Sequence, residues 1–283
     1  MGIWAKKIFG QEFCGEIGIV IARTSNPEFE KNILSFFDEV LSSKDAAYHT
    51  HLVKKNGVLY PVVTNVYGAP AIVDVMAEMH DGGCRTVIFI GSAYGGFKNL
   101  DIGSIVIPDK SYHFEGVFHP LQPDRKAAFP DKDLKKRLEE VFKKNKISYS
   151  TGANISVPAV TLQLPHNNEE YKRIQPLTVE MELAACLARA KDIGIRAAGI
   201  LIISDNRSKS IGDEKGRELR RFVKEKIIKI IAENLENFKL PKLPMEKEWS
   251  IDEHLASIIE DPIDKTNVYR NKKWHKSWFL ETA

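Results

Sequence analysis

Residues 179–207 read VEMELAACLARAKDIGIRAAGILIISDNR, and the succession within them sets the fold class. Leu183, Ala184, Leu187 and Ala190 recur at helical spacing, and Glu180 and Glu182 stand where the first turn of a helix favours negative charge. Gly194 ends that helix. Residues 197–203 form an apolar run without alternation, the pattern of a parallel strand covered on both faces. The run opens into Ser204, Asp205, Asn206 and Arg207. Ligands of open α/β sheets sit beyond the carboxyl ends of strands, so Asp205 is in position for chemistry. Ser204 and Asp205 equally have the composition of a cap for the next helix, and spacing alone leaves both readings open.

Outward from this stretch the chain alternates buried strands with amphipathic helices. Residues 16–22, EIGIVIA, predict the first strand, and Ser25, Asn26 and Pro27 predict a helix start with Glu28 in its first turn. Leu34, Phe37 and Val40 continue the apolar face of that helix. Residues 47–53 and 58–66 predict a hairpin closed by Asn56 and Gly57. A helix over 67–82 buries Ile72, Val75, Met76 and Met79. Residues 86–90 are a buried strand running into a glycine-rich turn, Gly91 to Gly96, whose backbone N–H groups can approach an anion with Ser92 as an added donor. Strands over 101–108 and 147–157 flank a helix over 130–145 that turns Leu134, Leu138, Val141 and Phe142 inward. A long charged helix over 212–237 faces the core with Phe222, Ile227, Ile228 and Ile231.

Composition bounds the function classes. The chain has 283 residues, 43% hydrophobic and 28% charged, with a formal net charge of +3, which gives no electrostatic case for nucleic acid or membrane binding. Cys14, Cys84 and Cys186 are scattered, so neither a disulfide framework nor a zinc site is expected and a reducing, cytoplasmic setting fits. The N-terminus lacks the apolar core of a signal peptide, and no run is long enough to span a membrane. His49 and His51 alternate onto one strand face, but no third ligand follows at a suitable spacing, and ordinary polar positions are the simpler reading. Tyr112, His113 and His119 read more readily as packing residues than as lining for a cleft.

The Val-Glu-Met-Glu run followed by a strand ending in Ser-Asp-Asn resembles the first nucleoside phosphorylase family, which includes purine nucleoside phosphorylases, uridine phosphorylases and related nucleosidases. The resemblance extends over about residues 16–237. It implies that Met181 and Glu182 hold a ribose, with Glu180 in support, and that Asp205 donates a proton to a purine base. It also implies a phosphate site at Gly91 and Ser92, and a base site near Val160, Thr161 and Asn206. The family's phosphate-gripping glycine and arginine are replaced here by Ser25 and Phe29, its strand arginine by Phe89, and its neighbour-donated arginine has no counterpart. Arg23 is the nearest cation to the first of these places, with Arg85 or Arg207 as substitutes from other directions.

These readings lead to a single α/β domain, a twisted mixed β-sheet flanked by helices with a phosphorylase-like fold, over residues 1–240. Residues 241–283 form a C-terminal arm carrying Lys272, Lys273, Trp274, Lys276 and Trp278. The resemblance implies phosphate-dependent cleavage of the N-glycosidic bond of a purine nucleoside by a homo-oligomer without a cofactor or metal. Two alternatives stand beside it. One is hydrolysis, motivated by the missing arginines and with Glu28 or Glu115 to activate water; the other is a binding protein that keeps the ribose grip without turnover.

Overall fold

A computed structural model of the chain describes residues 2–23, 26–98, 100–118, 124–163, 168–210, 212–245 and 249–259. The chain divides into two units, Met1–Met245 and Glu246–Ala283. The first unit runs α1 (Ile3–Phe9), β1 (Ile17–Ala22), α2 (Pro27–Leu34), β2 (Glu39–Asp45), β3 (His49–Lys55), β4 (Val58–Val66), α3 (Ala69–Asp81), β5 (Thr86–Gly95), β6 (Ile105–His113), β7 (Ala127–Ala128), α4 (Lys132–Lys144), β8 (Ser150–Ser156), α5 (Glu169–Ile174), β9 (Thr178–Glu180), α6 (Leu183–Asp192), β10 (Arg196–Asp205) and α7 (Glu214–Glu233). Of the second unit, the described residues contain α8 (Ile251–Ile259). The basic and tryptophan-bearing positions of the C-terminal arm lie outside the described residues.

The sheet is a mixed α/β core that closes on itself. Its order is β10-β6-β8-β9-β5-β1-β4-β3-β2, and β10 also pairs with β5, so β5, β10, β6, β8 and β9 form a ring from which β1, β4, β3 and β2 extend. β1, β5 and β10 are parallel neighbours, buried along most of their length as the apolar runs require. One face of this trio, including Ile88, Ile90, Ile200 and Ile202, packs against Ile227, Ile228 and Ile231 of α7 and Leu134, Leu138 and Phe142 of α4. Helix starts follow local chemistry: Asn26 accepts from Glu28 N at 2.8 Å, Asp131 from Leu134 N at 2.9 Å and Asp213 from Gly216 N at 2.7 Å. The β3–β4 turn places Asn56 at φ 50° and Gly57 at φ 80°, the left-handed pair a two-residue hairpin needs.

Four expectations are corrected. Val40 does not continue the face of α2; the helix ends at Leu34 and Val40 lies in β2, an exposed edge strand with no apolar alternation to announce it. Gly91 to Gly95 form no turn but the last half of β5, and a Cβ at Gly91 would lie 2.7 Å from the Phe89 ring, so packing explains that glycine. Glu180 closes strand β9 instead of lying in the first turn of α6. Phe222 is 65% exposed, because α7 turns the sector bearing Ile227, Ile228 and Ile231 to the core.

Candidate active site

Parallel pairing brings the carboxyl ends of β1, β5 and β10 to one edge. Ile21 pairs with Ile90 and Ile202 with Ser92, so Arg23, just past β1, stands level with Ser92. Between Ile203 and Asp205 the register shifts, leaving Ser204 as an extra residue and pairing Asp205 with Tyr94. Such a bulge re-aims the residue that follows it. The Ser204 hydroxyl lies 2.5 Å from Asp205 Oδ1 and 3.2 Å from the Ala93 carbonyl. Asp213, eight residues further on, caps α7, so Ser204 and Asp205 do not serve as its cap.

The two glutamates differ in what they hold. Glu180 is buried and accepts from Asn154 Nδ2 at 2.7 Å, from the Ser156 hydroxyl, and from Glu182 N and Leu183 N at 2.7 Å each. Thr178 in turn donates to Asn154 Oδ1 at 2.8 Å, fixing the amide orientation. Glu180 is therefore the carboxyl acceptor that anchors the start of α6, where backbone N–H groups lack partners within the helix. Glu182 accepts from Gly68 N at 2.6 Å. Burial, with the charge of Glu180 added, pushes the Glu182 carboxyl up to about 8; burial raises Glu180 as well, against the pull of its four donors. Met181 is buried among Ile155, Val157, Tyr171 and Val179, with Tyr94, Phe97, Tyr112 and Phe114 against the cluster.

Beside this edge is a cleft of about 230 Å³ lined by Arg23 and Ser92 at the strand ends, by Asn26 and Phe29 at the start of α2, and by Arg217, Glu218, Arg220, Arg221 and Lys224 of α7. Arg220 donates to the Ser204 carbonyl at 3.1 Å. Lys224 is buried, donates to the Ala22 carbonyl at 2.7 Å, and holds its ammonium 5.9 Å from the Phe29 ring centre. Burial pulls the Lys224 ammonium down to about 8 while Glu182 acts in the opposite sense, so the lysine connects the cleft electrostatically to the carboxylate. Arg221 pairs with Glu28 at 3.4 Å and Glu225 at 3.1 Å. Arg23 sits at φ 40° with its guanidinium 5.4 Å from the Tyr67 ring centre.

A sequence model of the Phosphorylase superfamily matches residues 16–238. The chain belongs to that superfamily. Among solved structures, it is similar to Campylobacter jejuni 5'-methylthioadenosine/S-adenosyl homocysteine nucleosidase, at 14% identity and a TM-score of 0.66, over 78% of this chain and 99% of the other. It is also similar to the P knowlesi homolog of P falciparum PNP, at 17% identity and a TM-score of 0.62, over 78% of this chain and 90% of the other. Both likenesses bear on the fold.

Against this superfamily frame, the residues named from sequence separate into two groups. Asp205, Glu182, Ser92 and Arg23 lie at or beside the strand-end edge, with Met181 adjoining Glu182. The others have structural surroundings. Gly91 is enclosed in β5. Asn206 gives its amide to the Leu100 carbonyl and accepts from Ser208 N and Lys209 N, each at 2.9 Å, which fixes the loop after β10. Val160 and Thr161 lie on an exposed single turn over Val160–Leu162, with Val160 47% exposed. Arg85 donates to the His80 and Cys84 carbonyls at the opposite end of β5, away from Ser92. Ser25 and His119 lie outside the described residues.

The cations of α7 that line the cleft were not singled out from sequence. Positions 217, 220, 221 and 224 are spaced i, i+3, i+4 and i+7, one helical face, and that spacing is the signal available in the sequence. Elsewhere, His49 and His51 converge on Glu30 at 2.8 Å each, with Asp45 3.0 Å from His49. Among the described residues no group of three or more His, Cys, Asp or Glu side chains could hold a metal ion. His113 and Glu115 form a buried pair at 2.6 Å.

Proposed function

We propose that the protein cleaves the N-glycosidic bond of a purine nucleoside by phosphorolysis. The observation that carries this reading is the cleft in which Ser92 faces four cations of α7 and Arg23, adjoining Glu182 and Asp205. A phosphate dianion is the small nucleophile such a cleft suits, because cationic donors both bind it and hold it in line. A phosphate oxygen bonds to the anomeric carbon as the carbon–nitrogen bond breaks, and the bonding pair leaves with the base. Asp205 supplies the proton the base takes up, and the proton of the attacking phosphate restores the balance. Glu182, with Met181 beside it, holds the ribose hydroxyls while positive charge develops on the sugar.

Hydrolysis is less well supported. Glu28 is exposed and paired with Arg221, and Glu115 is buried against His113, so neither is poised to activate water. In this reading residues 1–240 carry the activity, the protein works as a cytoplasmic homo-oligomer, and no cofactor is needed. Among the described residues no helix is long and apolar enough to cross a membrane. The test is release of free base from purine nucleosides with and without inorganic phosphate. Release only with phosphate, together with formation of a sugar 1-phosphate, supports phosphorolysis; equal release without phosphate overturns it.

A further inference from the structure

Val66, the last residue of β4, and the two residues after it reach both the cation cleft and Glu182. The Val66 carbonyl accepts from Arg23 N at 3.0 Å, the Tyr67 ring centre lies 5.4 Å from the Arg23 guanidinium, and Gly68 N donates to Glu182 at 2.6 Å. The backbone of Arg23 is held from a second side, because the Lys224 ammonium that donates to the Ala22 carbonyl also lies 3.4 Å from the Arg23 carbonyl. Its φ of 40° is a left-handed conformation that a residue with a side chain rarely adopts, and these contacts keep it there.

The side chain of Arg23 is in a different position. It is exposed, carries several rotatable bonds, and lines a cleft that already contains Arg217, Arg220, Arg221 and Lys224. Burial pulls the Arg220 guanidinium below its ordinary value; Asp205 acts in the opposite sense, and the charges of Arg217 and Arg23 add to the lowering. Repulsion of this kind drives a mobile cation out towards solvent. Tyr67 is 51% exposed, so its ring adds little to the core, yet an aromatic face attracts a guanidinium.

We propose that Tyr67 is a positioning residue that holds the Arg23 guanidinium at the cleft, ready for an inorganic phosphate. The inference rests on the phosphate reading given above and adds to it the residue that prepares one of the cations. A free arginine gives up rotamer freedom when it binds an anion, whereas one already held on a ring gives up less, so the ring raises affinity without touching the ligand. A carboxylate in the place of Tyr67 would occupy the N–H donors that phosphate oxygens need; an aromatic face engages the charge and leaves donors free for them. Glu182 is held by the backbone of Gly68, so the side chain at position 67 bears on the anion and not on that carboxyl.

The test is equilibrium binding of inorganic phosphate to the full chain at fixed ionic strength, for the wild type, Tyr67→Leu, Tyr67→Phe, Arg23→Gln and the double variant Arg23→Gln with Tyr67→Leu. Arg23→Gln is expected to weaken phosphate about tenfold. Tyr67→Leu is expected to weaken it about two- to fivefold, and Tyr67→Phe, which keeps the ring, to stay within about twofold of the wild type. In the Arg23→Gln background Tyr67→Leu should add less than about twofold, since the ring then has no guanidinium to hold. KM for phosphate should follow these affinities while KM for the nucleoside does not, and thermal unfolding should be the same for all, because both side chains are exposed. Equal phosphate affinity in Tyr67→Leu and wild type, an equal loss in Tyr67→Phe and Tyr67→Leu, an undiminished loss in the Arg23→Gln background, or no phosphate binding by the wild type overturns the inference. Turnover of a purine nucleoside with phosphate, run in parallel, keeps the two readings apart. The expected affinities without turnover sink phosphorolysis and leave the role of Tyr67 standing; phosphate-dependent turnover indifferent to Tyr67→Leu does the reverse.

Discussion

The two halves of the proposed site are built from different materials. The sugar and base half hangs on strand ends and on the first residues of α6, where Glu182, Asp205 and Tyr94 are fixed by backbone pairing and a bulge. The anion half hangs on one face of α7, laid across the end of β1 so that Lys224 meets the Ala22 carbonyl and the Phe29 ring. Strand ends place a side chain with little freedom and suit proton transfer, which demands close geometry. A helix face delivers several long cations at once and suits charge, which acts over greater distance. At the strand ends Arg23 lines the cleft, and four more cations come from the helix.

Substitutions on either side sharpen the contrast, and the largest effect is expected at the strand end. Asp205→Ala removes the proposed proton donor and should lower kcat by about 10²- to 10⁴-fold without moving Tm, read from base release under saturating phosphate. Lys224→Met should raise KM for phosphate by about tenfold to a hundredfold while sparing KM for the nucleoside. The fold should survive, because an apolar side chain replaces a buried charge. An equal loss on both KM values would mean that the lysine acts through general structure and would break the division into halves.

Glu180→Gln should act on stability more than on chemistry. The new amide N–H group faces donors from Asn154, Glu182 and Leu183, at a cost of about 1–3 kcal/mol in denaturant unfolding. A rise in nucleoside KM with unchanged stability would return Glu180 to a ribose-side role. The smallest effect is a drift with pH. Glu182 is raised from the ordinary carboxylate range to about 8, so the folded state binds more protons than the unfolded state and stability falls as pH rises towards 8. Lys224 is lowered to about 8, so above that value the unfolded state binds more protons and the lysine contributes in the opposite sense, up to the ordinary ammonium range. From these two groups Tm should decline up to about pH 8 and then turn upward, and Glu182→Gln should remove the decline. Phosphate affinity should fall as pH passes about 8 in the wild type and less steeply in Lys224→Arg.

The parallel strands were legible because apolar runs such as EIGIVIA and AAGILII have few other places to go, and Asp205 was legible because it ends one of them. The edge strand β2 was not, since its residues are exposed and its pairing comes from β3. The run GSAYGG looked like an anion-binding turn because glycine serves two purposes. It makes room for Phe89 at Gly91 in β5 and for the Pro176 carbonyl at Gly96 just past the strand. Glu180 and Glu182 stand two residues apart in sequence, and the folded chain shows that one faces Asn154 and Ser156 while the other meets Gly68. The cations of α7 were legible in spacing but not in purpose, since a charged helix face reads as solvated surface until the sheet it covers is known.

The most direct test of the central claim is the phosphate dependence of hypoxanthine release from inosine, with the sugar product identified in the same reaction. The account predicts release that saturates with phosphate and yields ribose 1-phosphate. Release of free ribose at the same rate in phosphate-free buffer would contradict it.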